Sequence, residues 1–411
     1  MGGREPEPGV LDATRDFLDR AHLAAPGELP EALAEAARVI GWTAQVFLAD
    51  DEQRVLIPVG PHAEEVAAPL SIDGTLAGRA FRLLEPVQAH GDEVALWVPL
   101  LDGVHRFGVV RFGLPAGTDV GSRAVKDAYR VLAENAGHLF AAKSPYGDAL
   151  RRVTRLRRRS VESELLLDLL PPLTFGAWNI VVSAILEPTY DVAADAFDYS
   201  VIEGVAHLAV MDATGHALPG TMLAAVALAA LRNSRRESLD LAETLGAMDR
   251  FVELQGRRES FVTAVVGELD LQTGQLRYVN AGHPAPLLMR NGKVVKSLDD
   301  GRRALLGLGE RAATVGQERL EPGDRVIFYT DGVTEARAPD GTQFGLQRLV
   351  DQLERSTAGG LPAPETLRLV ARDVLEYQHG VLQDDATLLV AEWSTGHELG
   401  YTAAPGTEPY A

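Results

Sequence analysis

Aspartates recur in the second half of the chain at the ends of apolar runs that read as β-strands. Asp195 sits in Asp191-Val192-Ala193-Ala194-Asp195-Ala196-Phe197-Asp198-Tyr199, and Asp212 in Met211-Asp212-Ala213-Thr214-Gly215-His216. Asp331 sits in Phe328-Tyr329-Thr330-Asp331-Gly332-Val333-Thr334-Glu335, and Asp384 and Asp385 stand just ahead of Ala386-Thr387-Leu388-Leu389. A strand end delivers a side chain to a fixed place on a rigid scaffold, which ordered chemistry requires. Taken singly, each aspartate is also an ordinary turn or strand-capping residue. Taken together they carry a cost, because converging carboxylates repel one another unless a cation lies among them. Oxygen-only donors select hard divalent ions such as Mg²⁺ or Mn²⁺. Two such ions can lower the pKa of a shared water and aim it at phosphorus.

Three histidines stand near these segments. His216 follows a glycine beside Asp212, and His283 lies in Asn280-Ala281-Gly282-His283. Either is within the chemistry of a general acid, though ordering a loop is the favoured role for both. His207 alternates along a strand pattern and reads as a packing or surface residue.

These side chains need elements to position them. From Phe175 to Trp393 the pattern predicts strands at Trp178–Leu186, Ala196–Ile202, Ala206–Met211, Phe261–Leu271, Gln275–Ala281, Arg325–Thr330 and Ala386–Trp393. It predicts helices at Gly220–Asn233, Leu239–Gln255, Leu346–Glu354 and Ala363–Tyr377. Tight turns such as Thr273-Gly274 between neighbouring strands imply antiparallel pairing, hence an α+β domain of packed sheets with outer helices. Ahead of it, helices at Leu11–Ala24 and Pro30–Ile40, strands at Thr43–Leu48, Val94–Leu101 and Phe107–Phe112, and a helix at Ser122–Ala142 form a separate α+β unit. Asp102-Gly103 marks a hairpin there, with a loop expected to exceed two residues.

Between the units, Asp148–Leu170 reads as one helix, with Leu150, Val153, Leu156, Val161, Leu165 and Leu169 on one stripe that fits a short dimeric coiled coil loosely. Its arginines, Arg151, Arg152, Arg155, Arg157, Arg158 and Arg159, read as a solvated face rather than a nucleic-acid patch. Pro171-Pro172 ends it. The resulting division is a disordered segment at 1–10, a first domain at 11–143, a helical linker at 144–172, a second domain at 173–393 and a disordered tail at 394–411.

Composition bounds the function. A chain of 411 residues exceeds one core, and 46% apolar residues suffice for two. A formal charge of −19 argues against nucleic acid and anionic membranes as partners. Without cysteine there are no disulfides, thiolate metal sites or cysteine nucleophiles. Met1–Val10 lacks the pattern of a signal peptide, and the apolar run Met222–Leu231 is too short to span a bilayer. A cytoplasmic protein is expected.

The chain from Ser163 onward resembles the SpoIIE/RsbU-type phosphatases, a bacterial branch of the PPM metal-dependent Ser/Thr phosphatases. The matching pieces come in order: Leu169-Leu170-Pro171, Asp191 to Asp198, Asp212 to Ala217, Asn280-Ala281-Gly282-His283-Pro284 with Pro286-Leu287-Leu288, Gly323-Asp324, Tyr329 to Ala336, and Gln383-Asp384-Asp385-Ala386-Thr387. The first domain resembles a GAF domain, a small-molecule or dimerisation module, with its Phe-Gly-Val-Val-Arg-Phe strand and long exit helix; a PAS-like sensor is the alternative.

The resemblance implies two Mn²⁺ or Mg²⁺ ions. Asp195 bridges them, Asp212 serves one with the backbone carbonyl of Ala213, and Asp331 and Asp384 hold the other. Water between the ions is the implied nucleophile. It implies as substrate a phosphorylated regulatory protein, a STAS-type anti-anti-sigma factor. No Arg or Lys occurs from 173 to 195, so no arginine precedes Asp195 to grip phosphate. Where the family writes glycine, this chain has Ala194, Met211 and Ala217, and Ala193 precedes Ala194. An alanine at 194 either carries left-handed backbone strain or marks a shift to ordinary extended backbone. The alternative reading is a weakened or inactive phosphatase-like domain that binds a partner without turnover.

Overall fold

In the computed structural model the described residues are 8–60, 63, 68–89, 93–187, 194–215, 217–255, 260–309 and 312–393. They fall into two compact units that divide between Arg157 and Arg158.

The first unit opens with α1 (Pro8–Leu23) and α2 (Leu29–Val39). β1 (Thr43–Ala49), β2 (Val55–Val59) and β3 (Leu70–Ser71) lead to α3 (Leu76–Leu83). β4 (Val87–Ala89), β5 (Val94–Asp102), β6 (His105–Leu114), α4 (Arg123–Lys143) and α5 (Ala149–Thr154) complete it. Its six strands run β3-β2-β1-β6-β5-β4, all antiparallel. One face packs on α1, α2 and α4 through Phe17, Leu33, Phe112 and Phe140, and the other on α3 through Phe47, Ile72 and Phe81.

Two expectations are corrected here. Helix α1 begins at Pro8, inside the segment read as disordered. The β5–β6 loop is only Gly103-Val104, because Asp102 pairs with His105 and Gly103 takes the left-handed conformation that a two-residue turn demands. The tail at 394–411 lies outside the described residues.

The single helix expected at Asp148–Leu170 is two helices. α5 stops at Thr154, Arg155 is extended, and α6 (Val161–Leu169) restarts where the Ser160 hydroxyl accepts from the amide of Ser163. Arginines at 155, 157, 158 and 159 would stand on adjacent turns of a continuous helix, and like charges at that spacing oppose it. Leu150 joins the core of the first unit and Leu166 that of the second, while Leu156 and Val161 are exposed. No continuous apolar stripe therefore exists for a coiled coil.

The second unit continues with β7 (Thr174–Ala177), β8 (Ile180–Glu187), β9 (Asp195–Ile202), β10 (Val205–Ala213), α7 (Ala217–Arg236) and α8 (Leu241–Glu253). Next come β11 (Val262–Asp270), β12 (Gln275–Ala281), β13 (Leu287–Arg290), β14 (Lys293–Ser297), β15 (Arg302–Arg303) and β16 (Gly316–Arg319). β17 (Arg325–Tyr329), α9 (Asp331–Thr334), α10 (Gly345–Ala358), α11 (Ala363–Tyr377) and β18 (Ala386–Trp393) close it. Trp178 was read as starting a strand; it and Asn179 instead form a two-residue turn between β7 and β8, with Asn179 left-handed.

One sheet runs β15-β12-β11-β10-β9 with β16 on β12, and the other runs β14-β13-β17-β18-β8-β7. The sheets pack face to face through Val182, Phe197, Leu208, Val210, Phe328 and Leu389. Helices α6, α7 and α8 cover the outer face of the first sheet, and α10 and α11 that of the second. With both faces covered, every residue of β18 is buried, and its sequence reads apolar almost throughout. The architecture is α+β with sheets that are antiparallel except for the short β12–β15 pairing, as the turn spacing predicts for the main strands.

Candidate active site

Adjacent strands place the aspartates in pairs. β9 and β10 form a hairpin in whose register Asp195, the first residue of β9, lies opposite Asp212 near the end of β10. In the other sheet, antiparallel β17 and β18 bring the residue after β17, Thr330, beside Thr387 near the start of β18. Asp331 therefore follows one strand where Asp384 and Asp385 precede its neighbour.

The two sheets meet at these ends. The hydroxyls of Thr330 and Thr387 both donate to Oδ2 of Asp195, at 2.8 and 2.7 Å. Oδ2 of Asp385 accepts from the amides of Ala194 at 2.7 Å and Asp195 at 3.4 Å. The amide of Asp385 donates to Oδ1 of Asp384 at 2.9 Å. Ala213, the last residue of β10, donates its amide to the carbonyl of Ala194 at 3.2 Å. Gly332 is fixed by space: a Cβ there would lie 1.9 Å from the carbonyl oxygen of Asp385, so only glycine lets α9 approach β18.

Burial and mutual repulsion act on these carboxylates. Burial, then the charges of Asp212 and Asp385, hold Asp195 well above the usual carboxylate range, against the opposing pull of the Thr387 and Thr330 hydroxyls. Burial, then Asp331, Asp384 and Asp385, push Asp212 up to about 7. Burial is the first cause that raises Asp384 as well, with Asp331 and Glu335 adding to it. The groups named by sequence thus feel one another, while no Lys, Arg or His charge is among the causes that act on Asp195 or Asp212.

Among the described residues no three acidic or imidazole side chains converge closely enough to cage an ion as they stand. Their chemistry nevertheless fits a divalent cation: the donors are hard carboxylate oxygens, with Asp195 buried, Asp212 half-buried and Asp331 and Asp384 exposed at the mouth, and a cation removes the repulsion that raises Asp195, Asp212 and Asp384. Asp195, Asp212, Asp331 and Asp384 would hold it.

Other residues of interest fall elsewhere. Asp198 turns to the helical layer, where Arg232 and Arg235 of α7 each donate to it at 2.7 Å. His283 is buried; its ring shares a 2.7 Å hydrogen bond with Thr263, and its backbone N–H and C=O are both bonded to the Asn280 side chain. Burial pushes its pKa down to about 4, so it is a neutral loop-ordering residue near neutral pH rather than a general acid. His207 is half-buried, 3.8 Å from Glu268 across the strands. His216 lies outside the described residues. Ala194 is buried, and its amide is bound by Asp385. Sequence reasoning assigned no role to Thr330 and Thr387; both lie inside the matched motifs, but only the meeting of two sheets shows that they share one target.

The C-terminal half of the chain is similar to known proteins. Residues 203–394 match the family model described as Stage II sporulation protein E (SpoIIE). The phosphoserine phosphatase RsbU of Bacillus subtilis (strain 168) is 22% identical over 284 residues, covering 65% of this chain and 83% of that one. Protein IcfG of Synechocystis sp. (strain ATCC 27184 / PCC 6803 / Kazusa) is 31% identical over 135 residues, 33% of this chain; the match spans only 21% of IcfG. The SiaA-PP2C domain of Pseudomonas aeruginosa is 25% identical with a TM-score of 0.46, covering 52% of this chain and 85% of that one. Within the C-terminal unit, residues 203–394 therefore form a SpoIIE-family phosphatase domain, similar to the phosphoserine phosphatase RsbU.

Proposed function

We propose that the C-terminal unit hydrolyses phosphoserine or phosphothreonine on a regulatory protein, of the STAS type that serves as an anti-anti-sigma factor, under control of the N-terminal unit. The observation that carries the catalytic part is the register pair Asp195–Asp212, set beside Asp331 and Asp384 with no basic counter-charge acting on the pair. Two Mn²⁺ or Mg²⁺ ions held there would supply charge neutralisation for the phosphoryl oxygens and a water of lowered pKa. The chain's own part is positional. Thr330 and Thr387 orient Asp195, Asp385 grips the backbone ahead of it, and Gly332 permits the close approach of α9 to β18.

The N-terminal unit is read as a GAF-like sensor for a small molecule. Its helix-flanked, six-stranded antiparallel sheet and long exit helix α4 support that reading. The substrate class rests on the likeness to RsbU. Among the described residues no helix is long and apolar enough to cross a membrane, which agrees with a cytoplasmic setting.

The test is release of phosphate from a phosphoserine protein and from a generic phosphoester, with and without Mn²⁺, by the full chain. Metal-dependent turnover is expected on both. Metal binding without turnover on either would favour the non-catalytic binding reading.

A further inference from the structure

The carboxylate of Asp195 is held asymmetrically. Oδ2 receives two hydrogen bonds from Thr330 and Thr387, whereas among the described residues no donor reaches Oδ1. A carboxylate oxygen has two lone-pair sites, so two hydroxyls saturate Oδ2 and leave Oδ1 open.

The donors are themselves fixed. Both threonines are fully buried, on neighbouring strand ends. The amide of Thr330 donates to the carbonyl of Thr387 at 3.1 Å, and the amide of Thr387 donates to the Thr330 hydroxyl at 3.0 Å. With its oxygen already accepting, the Thr330 hydroxyl proton is directed to Asp195. Branching at Cβ restricts χ1 at both positions. Turning the carboxylate over would break two charge-assisted bonds at a buried side chain. The frame is set by β17 and β18, while Asp195 belongs to the opposing sheet.

We propose that Thr330 and Thr387 are positioning residues for the metal centre, holding Asp195 by Oδ2 and presenting Oδ1 as the oxygen that meets the cations. The inference rests on the metal-centre reading of the site. It predicts that Asp195 engages cations through one oxygen, and that the hydroxyls, not the methyl groups, of the two threonines set metal affinity. Partners that orient a ligand change metal affinity by about 10–100-fold when removed.

The experiment is calorimetric titration of the full chain with Mn²⁺ alone, alongside thermal melting in chelator. Thr387→Val and Thr330→Val keep the volume and remove the hydroxyl; Thr387→Ser and Thr330→Ser keep the hydroxyl. Each valine variant is expected to weaken Mn²⁺ binding by about tenfold or more, and each serine variant to stay within about threefold of the parent chain. A purely structural role lowers the melting temperature of the valine variants and leaves their Mn²⁺ affinity unchanged, and that result overturns the proposal while the metal-centre reading stands. If the parent chain takes up no Mn²⁺, the proposal and the metal-centre reading fall together. Should the valine variants not fold, the Ala and Ser variants at each position, which differ only in the hydroxyl, replace them: equal affinities overturn the proposal, and weaker binding by Ala supports it.

Discussion

The amide of Ala194 donates to Oδ2 of Asp385 at 2.7 Å across 191 positions of sequence. That bond ties the start of β9 in one sheet to the approach of β18 in the other, and it fixes the backbone that carries Asp195. Ala194 itself is buried, and this contact holds its amide.

Ala194→Gly is therefore expected to leave the Mn²⁺ concentration for half-maximal turnover within about twofold. It is expected to cost about 0.5–1 kcal/mol of stability, because glycine loses more backbone freedom on folding. Denaturant unfolding and a metal titration of turnover measure the two. A clear fall in the metal requirement would show instead that Ala194 displaces Asp195.

Asp195→Asn and Asp331→Asn are each expected to lower Mn²⁺-dependent turnover by more than about 100-fold, since each removes a charge from the metal site. Asp195→Asn carries a second signature. The folded state holds Asp195 above its ordinary pKa, so ionising it costs stability as pH rises, and that cost is present at neutral pH. The metal-free asparagine variant should melt higher than the parent chain above pH 7. Near-normal turnover in both variants would exclude the two-metal mechanism.

Gly332→Ala is expected to disable the site. Its Cβ would stand 1.9 Å from the carbonyl oxygen of Asp385, which is backbone and not the movable end of a side chain. A loss of about 2–4 kcal/mol is expected from forced displacement in a packed core, together with lost turnover. A variant with parental stability and activity would show that α9 shifts freely.

His283 predicts an acid limb of stability. Its folded pKa is lowered to about 4 by burial, from an ordinary value of 6.5. The unfolded chain therefore binds the extra proton between these values. Stability from this group is complete above about pH 6.5 and falls by about 1.4 kcal/mol per pH unit as pH drops toward 4. His283→Asn should flatten that limb relative to the parent chain, read by denaturant unfolding at several pH values. An unchanged slope would place the acid sensitivity elsewhere.

The first 147 residues are expected to set the rate. Deleting them should change turnover of a phosphoserine protein or the self-association of the chain, read by phosphate release and sedimentation. If neither moves, the N-terminal unit and α5 act only as a tether.

Much of this was legible in the sequence because it is local. The apolar runs of Ala206–Met211 and Ala386–Trp393, the 3.6-residue period of Ala363–Tyr377 and the turn at Thr273-Gly274 each depend on neighbours a few positions apart. The motif aspartates were readable for the same reason, as acidic residues abutting apolar runs. Errors fell where one residue overrides a pattern: Asn179 turning the chain inside an apolar run, and Ser160 restarting a helix after the arginine run.

What the linear order could not decide is which distant groups share an atom. Thr330 and Thr387 are separated by 57 positions, and neither is near Asp195 in sequence, yet both hydroxyls end on one oxygen of it. Periodicity gives a residue its face and its end of a strand, but not its partner across a sheet interface, which depends on how two sheets stack. Stacking is set by the summed burial of Val182, Phe197, Leu208 and Phe328 between them, a property of the whole core rather than of any motif. The aspartates were determined by the sequence, and the oxygen each presents was decided by the tertiary structure.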